Sequence, residues 1–348
     1  MPGHDRATKP QDARPFPWKT VVKQAIIIGL AGLAIYIVFP EITLVLASWP
    51  RLSTLEPAWF ALAVGAQAAH WICTFALQRM ALRTKAWFPV VTSQLAGNSI
   101  SLIMPGGAAA GAAVQFRILT VSGTPTSDTV GGLAAFSLLG VGGLFALPVF
   151  ALPVILAGAP IDRGLYNAAI MGSIGFALFA AFSAAVLVTD APLRWTGKVV
   201  QRIRNLVLRR RPPMTGLDAK LLHERDQIRT VLGRQWWQAV LLSAGRLGLD
   251  YLTLLASVRA TGSHPRPSLV LVAYAVAGII GLIPITPGGL GIVEASLTGL
   301  LVLAGTSSGS ALLATLTYRL ASYWLPLALG PVAYGLFRYR YRAEPAPA

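Results

Sequence analysis

Apolar residues occur along this chain in long, nearly unbroken segments rather than in alternation with polar ones. Each segment is close to the roughly 20 residues that an α-helix needs to cross a bilayer. The composition agrees, with 55% hydrophobic and 12% charged residues. The pattern predicts an all-α, polytopic membrane protein with about eight long transmembrane helices, at residues 20–39, 57–78, 87–104, 129–156, 165–188, 236–258, 268–285 and 311–337.

Two apolar segments contain the same Pro-Gly-Gly sequence, at 105–107 and 287–289. The offset between them is 287 − 105 = 182 residues, and the same offset brings Gly123 onto Gly305. This spacing predicts a duplicated unit. Proline and glycine break a membrane helix, and non-helical backbone is tolerated there only where it is packed in protein or lines a cavity. We therefore expect two broken or re-entrant helices, and paired breaks of this kind indicate a transporter's binding site.

The net charge is +16, and the basic residues concentrate in the N-terminal tail, in residues 190–234 and at the C-terminus. Basic segments of a multi-pass protein lie on the cytoplasmic side. We therefore expect both termini and residues 190–234 in the cytoplasm, the 40–56 loop outside, and no nucleic-acid partner. This arrangement requires each Pro-Gly-Gly segment to add a crossing or to reverse the chain. The two halves then have opposite orientations and form an inverted repeat.

The predicted organisation has a single transmembrane domain between two tails. Its parts are a basic cytoplasmic tail at 1–19, the domain at 20–340 and a C-terminal tail at 341–348. Inside the domain we expect repeat 1 at about 57–156, a basic cytoplasmic connector at 190–234 and repeat 2 at about 236–337. Apolar residues in the connector recur at helical spacing from Trp195 to Val207, which indicates either an amphipathic surface helix or a loop that only fixes the topology.

Several ionisable residues fall inside apolar segments, where a charge is costly and is by default a functional-site candidate. Glu294 follows Pro287 by seven residues, about two helical turns if the segment is helical. Arg246 and Asp250, four residues apart, share one helix face and can pair with each other. Arg319 lies inside the last apolar segment, and Arg117 ends the first motif. These groups either line a polar path between the repeats or form salt bridges that make insertion tolerable.

The Pro-Gly-Gly residues allow two interpretations. Proline fits the first turn of a helix, and glycine there lets an anion approach exposed backbone N–H groups. Alternatively, small residues let membrane helices pack closely. On the first interpretation a phosphate group would contact Pro105, Gly106, Gly107, Pro287, Gly288 and Gly289.

No pattern in the sequence indicates catalysis or a cofactor. The glycines are not followed by Gly-Lys-Ser or Gly-Lys-Thr, no two aspartates stand one residue apart as a metal-binding pair, and the four histidines are scattered. We therefore expect no cofactor and no metal. The lack of a catalytic or nucleotide-binding motif argues against an enzyme but leaves one enzymatic alternative, a transferase, open.

The stretch 282–305, LIPITPGGLGIVEASLTGLLVLAG, resembles the signature of the lysylphosphatidylglycerol synthase transmembrane-region family, also called flippase-like or UPF0104 proteins. The resemblance covers about 20–340. It implies a role in moving lipids, and it assigns the family's C-terminal signature to Pro287, Gly288, Gly289, Gly291 and Glu294. The first motif matches more loosely, because Ala112 stands where family members often have an acidic residue.

Three functions remain open at this point. The first is a flippase or transporter that moves an anionic or glycosylated lipid across the bacterial inner membrane by alternating access. The second is an integral-membrane transferase acting on a polyprenyl-linked lipid. The third is an accessory subunit that binds a lipid-modifying enzyme through the basic connector. The expected partners are accordingly membrane lipids and, for the third function, that enzyme.

Overall fold

A computed structural model describes residues 55–104, 107–156, 163–207, 216–282 and 286–341. Within these ranges every regular element is helical. The helices are α1 (Pro57–Ala81), α2 (Trp87–Ile103), α3 (Gly107–Val121), α4 (Thr126–Leu156), α5 (Arg163–Val188), α6 (Ala191–Val207), α7 (Leu217–Ala260), α8 (Pro267–Gly281), α9 (Ile292–Leu303), α10 (Ser308–Arg319) and α11 (Leu325–Tyr341). A 3-10 turn at Pro287–Gly289 precedes α9, and a π-helical segment at Leu320–Trp324 joins α10 to α11.

Four helical segments of the described chain are long and apolar enough to cross a membrane: Pro57–Ala81, Thr126–Leu147, Trp237–Ala260 and Ser308–Tyr341. The prediction of an all-α, multi-pass membrane protein is confirmed. The expected eight long helices are found only in part, because α2, α3, α8 and α9 have 17, 15, 15 and 12 residues and are each shorter than a full crossing. The predicted helix at 20–39 and the tail at 1–19 lie outside the described residues.

Helices α2 and α3 form an antiparallel hairpin around the first break. A methyl group on Gly107 or Gly111 would overlap Ser101 of α2. Further along the hairpin, Ile118 packs against Ala96. Small residues at these positions let the two backbones approach each other, which is how membrane helices associate closely.

Helices α8 and α9 form a second antiparallel hairpin around the other break. Val293, at the start of α9, packs beside Gly281 at the end of α8. At the opposite end, Ala304 packs with Leu269 and Val272, near the start of α8. Gly107 of the first Pro-Gly-Gly sequence and the whole of the second thus lie where one short helix follows another.

The second Pro-Gly-Gly sequence has a backbone that only glycine adopts readily. Gly288 has a φ of 60° and Gly291 a φ of 78°, in the left-handed region where a side chain costs about 1–2 kcal/mol. The chain therefore turns through residues 287–291 and resumes an α-helix at Ile292.

Helices α1 and α7 pack against each other in antiparallel orientation. The backbone N–H of Glu56 donates to the carbonyl of Ala260 at 3.0 Å, and Nδ1 of His70 lies 2.8 Å from the carbonyl oxygen of Arg246. The start of α1 therefore lies beside the end of α7, so the two helices run in opposite directions.

Each of the two hairpins also packs against a helix from the other half of the chain. Helix α11 packs on α2, where the hydroxyl of Ser99 donates to the carbonyls of Pro326 at 3.0 Å and Leu327 at 3.1 Å. Helix α4 packs on α8, where a methyl group on Gly278 would meet Leu144 at 2.8 Å. Each hairpin is thus covered by a long helix from the other half.

The connector predicted at 190–234 forms helix α6 and the first half of α7. Of the two interpretations of its apolar spacing, a helix or a loop, the structure has the helix, over Ala191–Val207. No helix boundary falls near 236, because α7 continues without interruption from Leu217 to Ala260.

Candidate functional site

The most buried charged contact of the described chain joins Glu294 to Arg319. Nε of Arg319 donates to Oε1 of Glu294, and each residue is only 8% exposed. Glu294 lies in the first turn of α9 and Arg319 is the last residue of α10. Because charges are rarely buried without a partner, each residue makes the position of the other tolerable.

Arg319 also contacts the turn that contains the Pro-Gly-Gly sequence. Its Nη2 donates to the carbonyl of Gly288 at 3.3 Å, and its guanidinium carbon lies 4.2 Å from the centroid of the Tyr323 ring. The planar guanidinium can make these contacts together because its donors form a fixed fork. One side chain therefore connects the end of α10 to the Pro-Gly-Gly turn and, through Glu294, to the start of α9.

Tyr323, which contacts Arg319, also contacts the first hairpin. Its hydroxyl donates to the carbonyl of Leu102 at 3.3 Å, two residues before Met104 at the end of α2. Gly288 lies against the same carbonyl, since a methyl group at that glycine would be 2.7 Å from it. The second Pro-Gly-Gly turn is therefore adjacent to the end of α2 that leads into the first one.

Tyr323 lies in the π-helical segment, Leu320–Trp324, which begins directly after Arg319. Single π-helical turns are rare and occur frequently at functional sites. Such a turn has an additional residue relative to a regular helix, so it changes the direction in which the following side chains project. Tyr323 is 1% exposed, which places its ring entirely inside the protein.

The structure corrects the expected depth of Glu294. We expected this residue about two turns into a helix starting at Pro287, but α9 begins at Ile292 and Glu294 lies in its first turn. A carboxylate there is stabilised by the positive end of the helix dipole. Its second oxygen, Oε2, is buried without a hydrogen-bond partner, so one acceptor position at this site is open.

Asp250 has two tyrosine donors. The hydroxyl of Tyr274 donates to Oδ2 of Asp250 at 2.6 Å, and the hydroxyl of Tyr318 donates to the same oxygen at 2.9 Å. These tyrosines come from α8 and α10, so the carboxylate of α7 joins three helices. Hydrogen bonds to an ionised group are about twice as strong as neutral ones, and this cluster accordingly makes a strong connection in the core.

Arg246 is separate from Asp250. Among the residues that the structure describes, no ion pair within 4 Å joins the two, although their spacing allowed one. Nε of Arg246 is buried without a hydrogen bond. The guanidinium carbon lies 5.6 Å from the ring centroid of Phe136 on α4.

A cavity of about 230 Å³ brings the two polar clusters together. Arg319 and Gly288 line one part of it, and Tyr274 and Tyr318 line another. The remaining wall is apolar and comes mainly from the second hairpin, including Val293. The cavity thus offers a positive group, tyrosine rings and an apolar surface within a small volume.

The other predicted site residues have different positions. Pro105 and Gly106 lie outside the described residues. Gly107 begins α3 and packs on Ser101, and Gly289 uses its N–H within the turn, donating to the carbonyl of Thr286 at 3.1 Å. Pro287 begins the 3-10 turn. At Gly288 it is the carbonyl that faces Arg319, so the contacts observed at these glycines are packing contacts and hydrogen bonds within the protein.

Arg117 belongs to another part of the surface. It is exposed on α3 and lines a groove of about 760 Å³ between α2, α3 and α11. The structure therefore brings together Glu294, Arg319, Gly288 and, through the cavity, the tyrosines that hold Asp250. Three further residues of this site, Tyr274, Tyr318 and Tyr323, were not predicted, although each places a polar hydroxyl inside an apolar segment.

These features define a multi-pass helical membrane protein with a buried charge pair beside the turn that precedes a short helix. The chain belongs to the lysylphosphatidylglycerol synthase TM region family, whose model matches residues 26–330. This confirms the resemblance inferred from the sequence.

Two relatives are both named UPF0104 membrane protein and come from Methanothermobacter thermautotrophicus. One is 35% identical over 92 residues, covering 26% of this chain and 26% of the relative. The other is 31% identical over 84 residues, covering 24% of this chain and 25% of the relative. The chain thus aligns with about a quarter of the length of each.

Proposed function

We propose that this protein moves a lipid with an anionic or glycosylated headgroup across the bacterial inner membrane by alternating access. The observation that carries the proposal is the meeting of the two hairpins beside the Glu294–Arg319 pair. Paired broken helices that meet in the interior of a transporter form its binding site. Family membership supports a lipid as the substrate.

Many alternating-access transporters are built from two halves of opposite orientation, and we infer such an inverted repeat here. Adding 182 residues to α1 gives 57 + 182 = 239 and 81 + 182 = 263, close to the Trp237–Ala260 part of α7. Helix α1 and this part of α7 are thus equivalent in the two proposed repeats, and they pack against each other in antiparallel orientation. The same offset matches α2 to α8 and α4 to α10 and α11. The packing of α11 on α2 therefore corresponds to the packing of α4 on α8.

The same contacts suggest where each hairpin enters the membrane. If the basic residues Arg79 and Arg83 at the end of α1 are cytoplasmic, the first hairpin enters from the cytoplasm and returns there. The loop after Ala260 is then external, and the second hairpin enters from outside. With the predicted helix at 20–39 as one more crossing, both termini and α6 fall on the cytoplasmic side, in accordance with the positive-inside rule.

In this proposal the headgroup competes with Glu294 for Arg319. An anionic headgroup that entered the 230 Å³ cavity would meet the guanidinium, and Glu294 would then need a proton or another partner, because an unpaired carboxylate at this depth is costly. Binding would therefore weaken the contact that ties α10 to the second break. A ligand that changes this contact shifts the balance between the two states.

Reconstitution into liposomes tests the proposal. We expect the protein to expose a fluorescent phosphatidylglycerol, placed in the inner leaflet, to dithionite faster than protein-free liposomes do. Labelled phosphatidylcholine and a labelled glycolipid in parallel samples define the headgroup class. Equal rates with and without protein for all three lipids would reject a flippase function.

A further inference from the structure

The groove of about 760 Å³ between α2, α3 and α11 is distinct from the cavity at Arg319. Its walls are apolar along most of their length, with Ile100, Ile103, Val114 and Pro331 among the lining residues. Its volume is in the range of roughly 300–1,000 Å³ typical of ligand-binding clefts. An apolar groove of this size on a membrane protein is accessible to lipid chains.

Two arginines, Arg117 of α3 and Arg338 of α11, line the same groove. Both side chains are exposed. Neither makes an ion pair with an acidic residue in the part of the chain that the structure describes, and no acidic residue lines the groove. The groove therefore has two unpaired positive charges and no negative one.

The two arginines lie at the same height along the groove. Arg117 is followed directly by Ile118, Arg338 is preceded directly by Phe337, and these two apolar residues pack in one cluster with Ala96. Arg338 lies in the last turn of α11. The positive charges are therefore near the end of the helices, while Ile100 and Ile103 continue the apolar wall toward the first break.

We propose that this groove binds one phospholipid whose anionic headgroup contacts Arg117 and Arg338 and whose acyl chain lies along the apolar wall. Basic pockets between membrane helices recognise anionic headgroups through charge, and apolar surface binds the chain. The proposal is independent of transport, because a lipid can be held here whether or not the protein moves lipids.

Binding of phosphatidylglycerol to the full-length protein in a zwitterionic detergent tests this inference, with the bound lipid counted by native mass spectrometry. We expect the variant Arg117→Gln/Arg338→Gln to lose roughly tenfold or more in apparent affinity, since each arginine contributes to headgroup attraction. Arg340→Gln is the matched control, because Arg340 is on the same helix but packs over the Phe88 ring at 4.7 Å. It should bind as the parent does.

A second variant separates a lipid from a free phosphate. Val114→Trp fills part of the groove and leaves both arginines in place, so it should reduce phosphatidylglycerol binding. In the parent, inorganic phosphate should compete poorly with phosphatidylglycerol, because it has no acyl chain. Effective competition by inorganic phosphate, with no effect of Val114→Trp, would overturn the lipid assignment. Equal binding by the parent and the double arginine variant, or an equal loss in Arg340→Gln, would overturn the site itself.

Discussion

The carboxylate of Glu294 and the guanidinium of Arg319 form an ion pair in which each residue is only 8% exposed. Arg319 at the same time donates to the carbonyl of Gly288. The pair therefore links the start of α9, the end of α10 and the turn between the halves of the second hairpin. Its energetic consequences can be separated from its role in transport by removing one or both charges.

The single variant Glu294→Gln should be less stable than the parent. It leaves a buried arginine without its counter-ion, and breaking a buried pair in this way costs about 3–5 kcal/mol. The double variant Glu294→Gln/Arg319→Met should recover much of that stability, because replacing both partners by well-packed neutral groups is often nearly neutral. Thermal unfolding in detergent, monitored by size-exclusion chromatography, measures the stability of the single and the double variant. A single variant as stable as the parent would contradict the structural role of the pair.

Gly288→Ala should destabilise the protein. Gly288 has a φ of 60°, which costs a residue with a side chain about 1–2 kcal/mol. The added methyl group would also lie 2.7 Å from both the carbonyl oxygen of Leu102 and the ring of Tyr323.

The matched control is Gly299→Ala, in α9 of the same hairpin, where a methyl group has no neighbour within 4 Å. This change should be neutral or slightly stabilising, because alanine favours a helix over glycine. The two melting temperatures, measured side by side, decide the question. If both variants unfolded at the temperature of the parent, the close contact between the two hairpins would be refuted.

Removal of the hydroxyl groups around Asp250 should weaken the core. Tyr318→Phe removes a hydrogen bond to a carboxylate, worth about 1.5–3 kcal/mol, and Tyr274→Phe/Tyr318→Phe removes both donors. Asp250→Asn introduced into that double variant should restore part of the stability, since a neutral amide is less costly to bury. Tyr334→Phe, at a residue that is 42% exposed, is the control. A double tyrosine variant with unchanged unfolding would show that the hydroxyls do not stabilise Asp250.

The sequence predicted several helices closely, missed the continuous α7 from Leu217 to Ala260, and predicted side-chain partners poorly. The apolar segment predicted at 57–78 forms Pro57–Ala81, and the one at 165–188 forms Arg163–Val188. Such boundaries follow from local features, namely the length of an apolar run and the proline, glycine or charged residues that end it. The short hairpins around the Pro-Gly-Gly sequences follow from the same local chemistry.

The site depends on contacts that no local pattern encodes. Glu294 and Arg319 are 25 residues apart in the chain, and Asp250 is 68 residues from Tyr318. The four-residue spacing of Arg246 and Asp250 suggested a pair, yet Asp250 accepts from tyrosines on two other helices. The π-helical turn after Arg319 was equally unpredictable, because its segment reads as an ordinary apolar helix.

Cysteine labelling should distinguish the two sides of the membrane. In a Cys73→Ala background, an impermeant maleimide added to intact cells should label His264→Cys, in the loop after α7, and leave Lys198→Cys on α6 unlabelled. Both positions are exposed, so accessibility to the reagent depends on the side of the membrane. Permeabilised cells, in which both cysteines should react, provide the control. Labelling of position 198 in intact cells would contradict the proposed orientation.

The most direct test of the central claim compares the parent with Glu294→Gln/Arg319→Met in the proteoliposome assay. The account predicts that the parent moves the labelled lipid while the double variant, folded and reconstituted to the same density, moves it no faster than protein-free liposomes. Equal rates for the parent and a well-folded double variant would contradict a headgroup site at Arg319.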